Sequence, residues 1–444
     1  MLRKPRLLPL LLIVLGVAVS QVANAQNSNG RSLNDCIGYA LDNNPQIRIS
    51  QLQLADANWR IKENKSTGLP QISGSVGYQY FIQRPGIPAS ALGFPSDEKI
   101  AFNAYHSLSP SIQLNQLFFS NSYRVATKAA DYYRVYVSEQ LNVTRRTVRN
   151  QVIDAYLPAL LLSENLVLLD KNIANLEKLL SETRAIQQAG FAEQLDVDRL
   201  ELSLTALRSE RDNLVRQQSM VLNGLKMAMG MPMDGQLELS DNLNQLLATY
   251  GDADLSSELN PQNRPEYVQL RRARDLSLVQ VELQSKPWMP TVAGFVQYQP
   301  GWQGGFGNDK KWFFIPSAVA GISVNVNLFD SGGSKARRQM AQIGVQTIDE
   351  QEKLLLNGMQ LELSNARKQY LNARERVNNQ QKNLALAQRI YDTTQTKFKA
   401  GVGSSFELVS AEQTLYSAQQ ALMSAQYDLL NAKVAVQKAL GAAN

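Results

Sequence analysis

The sequence predicts an α+β membrane protein built from two tandem structural repeats, each with two β-strands and a long helical hairpin. Three observations predict this fold class. Five sequence blocks recur at nearly constant offsets, four segments alternate between apolar and polar residues, and two glycine-poor stretches far exceed the helices of globular domains.

Composition first excludes several function classes. The 444 residues include 1 Cys and 1 His, which excludes an intrachain disulfide, Cys₂ and Cys₄ metal sites, and His₂ or His₃ zinc sites. A Ser–His–acid triad would have to use His106, which lies in a Gly/Pro-rich segment. Loss of the three basic residues in the first 25 positions would lower the formal charge from +6 to +3, and a near-neutral chain with mixed signs gives no nucleic-acid footprint. We expect no catalytic residues, no metal, no cofactor and no nucleic-acid partner.

The N-terminus has the pattern of a signal peptide. A basic start is followed by an apolar run at 7–19 and by the small-x-small sequence Ala23-Asn24-Ala25. We predict a signal peptide over 1–25, cleaved before Gln26. A membrane anchor is the alternative, but the run is too short to span a bilayer. No later stretch approaches the ~20 apolar residues of a membrane-spanning helix, so the exported chain is predicted to be soluble or a β-barrel.

The rest of the chain is predicted to be an internal duplication. Blocks at 43–46 and 69–79 recur at 263–266 and 289–299 with an offset of 220, and blocks at 117–120, 189–190 and 225–230 recur at 328–331, 400–401 and 436–441 with an offset of 211. The net deletion of 9 residues lies between the second and third blocks. We therefore predict repeat 1 at 26–230, an equatorial spacer at 231–262 and repeat 2 at 263–444.

Each repeat reads as helix, strand, strand and helical hairpin. Ser32 is a plausible N-cap for the first helix, and Pro45 should kink or break it. In repeat 1 we predict a helix at 33–65, strands at 71–81 and 110–118, and a hairpin at 120–230. In repeat 2 we predict a helix at 263–286, strands at 290–299 and 317–329, and a hairpin at 334–441.

The strands alternate with a period of two. Between 318 and 328 the even positions are aliphatic, whereas most odd positions are small or polar. This pattern fits a membrane-spanning barrel with a wet interior, and it equally fits a half-buried soluble sheet. Four strands cannot close a barrel around a lumen, and an open strand edge cannot face lipid. A barrel would therefore have to be shared among subunits.

The hairpins resemble coiled coils. Their ascending arms, at about 120–188 and 334–399, correspond to roughly 100 Å of helix each. The turns Ala189-Gly190-Phe191-Ala192 and Ala400-Gly401-Val402-Gly403 place a glycine where helices commonly end. The apolar seam along each hairpin is narrow, and the arms carry many Gln, Asn and Ser residues. This composition suits helices that form a wall with water on both sides.

Several motifs resemble the TolC-like outer-membrane efflux protein family. They are SLNDCIGYAL at 32–41, NNP at 43–45, Leu69-Pro70, VNLFDSGG at 326–333, Ala400-Gly401 and TLYSA at 414–418. The resemblance covers essentially the whole mature chain. It implies a homotrimer in the outer membrane of a Gram-negative bacterium, in contact with outer-membrane lipid. In such a trimer a 12-stranded β-barrel, with four strands per chain, is continued by a long α-helical barrel in the periplasm.

The resemblance also implies the function of an exit channel rather than an enzyme. Drugs, metals or secreted proteins would pass through it in a tripartite efflux or type I secretion system. The driving force would come from an inner-membrane transporter of the resistance-nodulation-division or ABC type, through a periplasmic adaptor (membrane fusion) protein. The alternative is a soluble periplasmic coiled-coil adaptor or scaffold protein, although adaptors carry one hairpin on a lipoyl-like module and this chain has two hairpins.

Two acidic residues are candidates for the periplasmic entrance. Asp196 and Glu407 are repeat equivalents in the first turn after each hairpin turn, and a ring of carboxylates from three chains would attract cations. Favourable charge at a helix N-terminus is the simpler explanation. By resemblance, Glu407 matches one position of the family's acidic constriction and Ser410 replaces a second carboxylate. Phe398 and Gly403 replace polar members of an interhelical lock.

The hairpin turns themselves are candidate contacts for the adaptor. By analogy with the family, we assign this role to Gly190 and Phe191 in the first turn and to Gly401 and Val402 in the second. A turn that ends in glycine is also common hairpin chemistry.

Overall fold

A computed structural model describes residues 30–96, 98–252, 255–305 and 311–441. The predicted signal peptide at 1–25 lies outside these ranges. The helices and strands follow in the order α1 Leu33–Asn43, α2 Pro45–Ser66, β1 Gln71–Tyr80, β2 Gly86–Pro88, β3 Lys99–Ala101, β4 His106–Ser120, α3 Asn121–Gln188, α4 Gln194–Met229, α5 Leu243–Thr249, α6 Pro265–Ser285, β5 Thr291–Gly304, β6 Phe313–Asn325, α7 Gly333–Lys399 and α8 Ser405–Leu440.

The chain divides into two compact units that do not coincide with the two predicted repeats. Unit 1 contains the residues up to Pro45, Thr147–Ser257 and Ser364–Ala439. Unit 2 contains Gln46–Arg146, Glu258–Leu363 and the residues from Leu440. Each unit therefore combines segments of both repeats, and the duplication remains a prediction from the sequence.

The first helix begins and ends where local chemistry requires. Ser32 and Asp35 form a capping box, since the Ser32 hydroxyl accepts from the Asp35 N–H and the Asp35 carboxylate accepts from the Ser32 N–H. The Ser32 hydroxyl also lies 2.7 Å from the Asp35 carboxylate, and hydrogen bonds from this hydroxyl and from the Ser32 N–H hold the pKa of Asp35 below its usual value. Asn44 is extended, because the residue before a proline is pushed out of the helical region, and α2 begins at Pro45. The predicted helix at 33–65 is thus two helices.

Unit 2 contains a four-stranded antiparallel sheet in the order β1-β4-β5-β6. The central pair, β4 and β5, joins one strand from each predicted repeat. The register of this pair shifts between Leu117 and Phe119, which marks a bulge in β4. Strand β6 ends at Asn325, not at the predicted 329, because Asn325 pairs with Thr291, the first residue of its partner β5.

A second, two-stranded sheet pairs β2 with β3 in the connection between β1 and β4. A short 3₁₀ helix, Ala89–Leu92, lies between these two strands. The sequence predicts no strands in this connection, because strands of three residues are too short to show a period.

Unit 1 is helical and has a leucine-rich core. The core includes Leu169, Leu176 and Leu180 of α3, Leu200 of α4 and Leu408 of α8. Helix α3 also contains one window that is long and apolar enough to cross a membrane, contrary to the expectation from the sequence. Within this window 39% of the residues are buried, among them Leu157, Leu160 and Leu169.

Residues 231–252 of the predicted spacer belong to unit 1 and contact its helices. The Asp241 carboxylate accepts hydrogen bonds from the Leu33 N–H at 2.7 Å and from the Tyr156 hydroxyl at 2.9 Å. From α8, the Lys433 ammonium donates to the Leu247 carbonyl at 3.0 Å. Because Leu33, Tyr156 and Lys433 belong to three different helices, the spacer binds these helices together.

Candidate functional site

One face of the four-stranded sheet is apolar and exposed. The pairing register places the following residues on it: Ile72, Val76, Tyr78, Tyr80, Leu108, Ile112, Leu114, Val296, Tyr298, Ala318, Ala320, Ile322 and Val324. Val76 is 73% exposed and Ile322 is 70% exposed. A contiguous apolar surface of this extent indicates contact with lipid or with another protein.

The opposite face is mostly small and polar. It carries Ser73, Ser75, Ser109, Ser111, Gln113, Asn115, Gln297, Ser317 and Ser323, with Leu117, Ala293, Phe295, Phe313, Ile315 and Val319 as apolar exceptions. The Ser75 and Ser111 hydroxyls are 2.8 Å apart, and the Gln113 amide donates to Asn115 at 3.0 Å. The four strands contain no Asp, Glu, Lys or Arg. This face can contact water without presenting fixed charge.

The sheet has two open edges. Within the described residues, β1 pairs only with β4 and β6 pairs only with β5. Both edge strands are exposed along most of their length. An edge with free N–H and C=O groups is a template for pairing with another chain.

Aromatic side chains gather at the end of the sheet that is distant from the helices. The Tyr78 hydroxyl lies 2.7 Å from Nδ1 of His106, and the rings of Tyr80 and His106 are 4.9 Å apart. The rings of Trp302 and Phe314 are 5.1 Å apart. Membrane barrels carry such aromatic residues at the level of the lipid headgroups.

The first hairpin turn, between α3 and α4, is shaped by Gly190 and Asp196. Gly190 has φ of +82°, in the left-handed region that favours glycine. Its N–H donates to the Gln187 carbonyl at 2.9 Å, which closes the end of α3. The Asp196 carboxylate accepts from the Glu193 N–H at 3.2 Å as part of a capping box. Phe191 is 86% exposed.

The second hairpin turn, between α7 and α8, repeats this geometry with one difference. Gly401 has φ of +75°, and its N–H donates to the Phe398 carbonyl at 3.0 Å. Ser404 caps α8, since its hydroxyl accepts from the Glu407 N–H at 3.2 Å. The second turn therefore has a serine cap where the first has a glutamate. Val402 is exposed, as are the side chains of Glu407 and Ser410.

The two turns are linked by residues that the sequence reading did not single out. The Arg199 guanidinium of α4 donates to the buried Ser405 hydroxyl at 3.3 Å and lies over the Phe406 ring at 5.7 Å. Lys399, the last residue of α7, pairs with Glu182 of α3 at 3.4 Å. Of the residues predicted for the gate, Phe398 packs against the leucine-rich core, and Asp196 caps its own helix.

Glu412 of α8 is another residue that the sequence reading missed. It lies in one i, i+4 row with Leu408 and Tyr416, so a carboxyl group occupies a row that otherwise faces the core. That break in an apolar row was the signal available in the sequence. Burial raises the pKa of Glu412 to about 7.

The chain combines a sheet that has one exposed apolar face with long helical hairpins, an arrangement found in a class of outer-membrane proteins. The outer membrane efflux protein family matches residues 36–231 and 258–442. The chain therefore belongs to the outer membrane efflux protein family, and its location is the outer membrane.

Solved structures of outer-membrane proteins share the fold at low sequence identity. CusC is similar to this chain at 16% sequence identity, over 95% of this chain and 96% of CusC, with a TM-score of 0.73. VceC from Vibrio cholerae is similar at 16% identity over 92% of this chain and 96% of the other, with a TM-score of 0.68. The open state of MtrE from Neisseria gonorrhoeae is similar at 16% identity over 92% of this chain and 88% of the other, with a TM-score of 0.69.

No curated protein matches the chain. The family and the channels that share its fold do not favour the alternative of a soluble periplasmic adaptor or scaffold.

Proposed function

We propose that three copies of this chain form a passive exit channel through the outer membrane. The strands of the three copies close a 12-stranded barrel, and their hairpins continue it as a helical tunnel in the periplasm. The channel receives its cargo from a periplasmic adaptor protein and an inner-membrane transporter of the resistance-nodulation-division or ABC type. It serves a tripartite efflux or type I secretion system.

The observation that carries this proposal is the open sheet with an exposed apolar face. Its two edge strands cannot remain unpaired in a bilayer, because lipid offers no hydrogen bonds to the free backbone groups. Other copies of the chain can supply the missing partners. Two copies would give a barrel of about 8 strands, and side chains would fill or nearly fill its interior. Three copies would give a barrel of about 12 strands with an open lumen.

Passive conduction is supported by the chemistry of the polar face. Ser, Gln and Asn side chains without fixed charge let polar cargo pass without strong binding. The glycine pairs of this chain, such as Gly332-Gly333, lack the spacing of nucleotide-binding loops. The energy for directed transport is therefore assigned to a partner protein.

The hairpin turns are proposed as the periplasmic entrance and the adaptor contact. Phe191 and Val402 are exposed apolar side chains on the two hairpin turns, which suits a surface that binds another protein. In a trimer, three copies of Glu407 would place exposed carboxylates around the axis and favour cations at the entrance. Asp196, which caps its own helix, is proposed to contribute less.

The test is the assembly and conductance of the mature protein purified from outer membranes in detergent. We expect a particle with three times the mass of the chain, threefold images by negative-stain microscopy, and stepwise conductance in planar bilayers. A monomer recovered from the soluble periplasmic fraction would overturn the proposal and favour an adaptor or scaffold. A trimer without conductance would retain the architecture and overturn the channel function.

A further inference from the structure

A cavity with a mixed polar and apolar lining lies between α8 and the first hairpin. It has a volume of about 350 Å³ and lies between α3, α4 and α8. Asn172 and Leu176 line it from α3, Leu207 and Glu210 from α4, and Glu412 from α8. The leucine-rich core borders this cavity, since Leu176 belongs to that core and Leu207 packs against it.

Glu412 is placed at this cavity without a polar partner. Its carboxyl makes no hydrogen bond or ion pair with any residue in the described part of the chain. From α4, Glu210 is the charged residue that lines the cavity, and it has the same sign as Glu412. The residues that α3 contributes to the lining are uncharged, and α8 itself contributes the Tyr416 phenol. Tyr391 of α7 is close enough to interact electrostatically with the Glu412 carboxylate.

The neighbouring basic residues are engaged elsewhere. Arg208 pairs with Glu177 at 2.7 Å, and Arg211 pairs with Asp170 at 2.6 Å. Neither lines the cavity. An ionised Glu412 would therefore depend on water in this cavity for its hydration, at the junction of α8 and the first hairpin.

We propose that Glu412 is a proton-dependent contact between α8 and the first hairpin. Protonated, its carboxyl stays in the cavity and α8 packs against α3 and α4. Ionised, it draws in water and weakens this packing. The inference concerns helix packing within unit 1 and does not depend on the channel function proposed above.

The direction of the effect follows from the pKa of this carboxyl. Burial raises the pKa of Glu412 from 4.5 to about 7 in the packed arrangement. Because the pKa is raised in the packed arrangement, protonation of Glu412 stabilises that arrangement most at a pH below 4.5, the ordinary pKa of the carboxyl. This stabilisation is lost as the pH rises through about 7. Between pH ~5.5 and ~8.5, local opening of α8 should increase by up to ~30-fold if the opened carboxyl is fully hydrated.

Hydrogen exchange of the assembled, full-length mature protein tests the proposal. Peptides covering residues 405–420 are measured at pH ~5.5 and ~8.5, after correction for the intrinsic pH dependence of exchange. In the unmodified protein we expect protection to fall by up to ~30-fold at the higher pH. In Glu412→Gln, which cannot ionise, we expect high protection at both values.

The matched control is Asp212→Asn, which neutralises an exposed carboxylate on α4. This variant should keep the pH dependence of the unmodified protein. If Glu412→Gln does not assemble, Glu412→Met provides an uncharged side chain of similar size for the same comparison. Protection that is independent of pH in the unmodified protein would overturn the proposal, and so would pH dependence that persists in an uncharged Glu412 variant.

Discussion

The two faces of the sheet make opposite predictions for adjacent residues of β1. Val76 lies on the apolar face, is 73% exposed and is the sixth of ten residues in the strand, so it is expected near the bilayer midplane. A charged side chain at that depth on the lipid face of a barrel costs ~2–4 kcal/mol. In a trimer, Val76→Arg introduces three such charges and should destabilise the inserted barrel by ~6–12 kcal/mol.

The matched control is Ser75→Arg, one residue away on the polar face. It loses the exposed hydrogen bond to Ser111, which contributes about 0.5–1.5 kcal/mol, but its guanidinium enters the wet interior. Urea titration of the protein refolded into phospholipid vesicles measures the difference between the two variants. Planar-bilayer recording should also show Ser75→Arg shifted towards anions, because it places positive charge in an otherwise neutral lining.

The comparison has a clear refuting outcome. If Val76→Arg inserts as stably as Ser75→Arg, the apolar face does not contact lipid and the sheet is covered by another protein. If Ser75→Arg is the more costly substitution, the assignment of the two faces is reversed.

Four further changes test other parts of the molecule. Asp241→Ala removes the shared acceptor of a buried tyrosine hydroxyl and a backbone N–H; we expect a loss of ~2–4 kcal/mol, and an unchanged calorimetric midpoint would contradict the role of the spacer. Gly401→Ala meets no neighbouring atom but keeps φ at +75°, so it should cost ~1–2 kcal/mol, seen as faster amide exchange confined to the second turn. Glu407→Gln should lower conductance and cation selectivity, and unchanged values would exclude it from the entrance. Arg199→Ala removes the contacts between the two turns and should raise exchange at the start of α8, whereas unaltered exchange would show that the link is not stabilising.

The class of the fold is fixed by local patterns. The period of two in the strands determines which residues share a face, because successive side chains in a strand point to opposite sides. Helix ends are also determined locally. Ser32 is an N-cap, and Gly190 and Gly401 have a left-handed backbone conformation, and few other residue types suit either position. Such features act over a few residues, so they can be read in a linear sequence.

The candidate site depends partly on contacts that have no local signal. The link between Arg199 and Ser405 joins residues more than 200 positions apart, and each residue by itself looks like an ordinary helix surface position. Glu412 left only a break in an apolar row, and its raised pKa arises from burial by helices of a different hairpin. Desolvation depends on the surrounding volume, which no single segment specifies.

The sequence by itself determined the tandem strands, the paired hairpins and the family motifs, since each rests on residue periodicity or on short segments. Only the tertiary structure decided that β4 and β5 join at the centre of the sheet, that both compact units draw on both predicted repeats, and that the predicted spacer binds three helices through Asp241 and Lys433. The physical reason is that pairing and packing energies depend on which distant surfaces meet. Many arrangements satisfy the same local pattern, and the one that pairs the strands and satisfies the buried polar groups is selected by the whole chain.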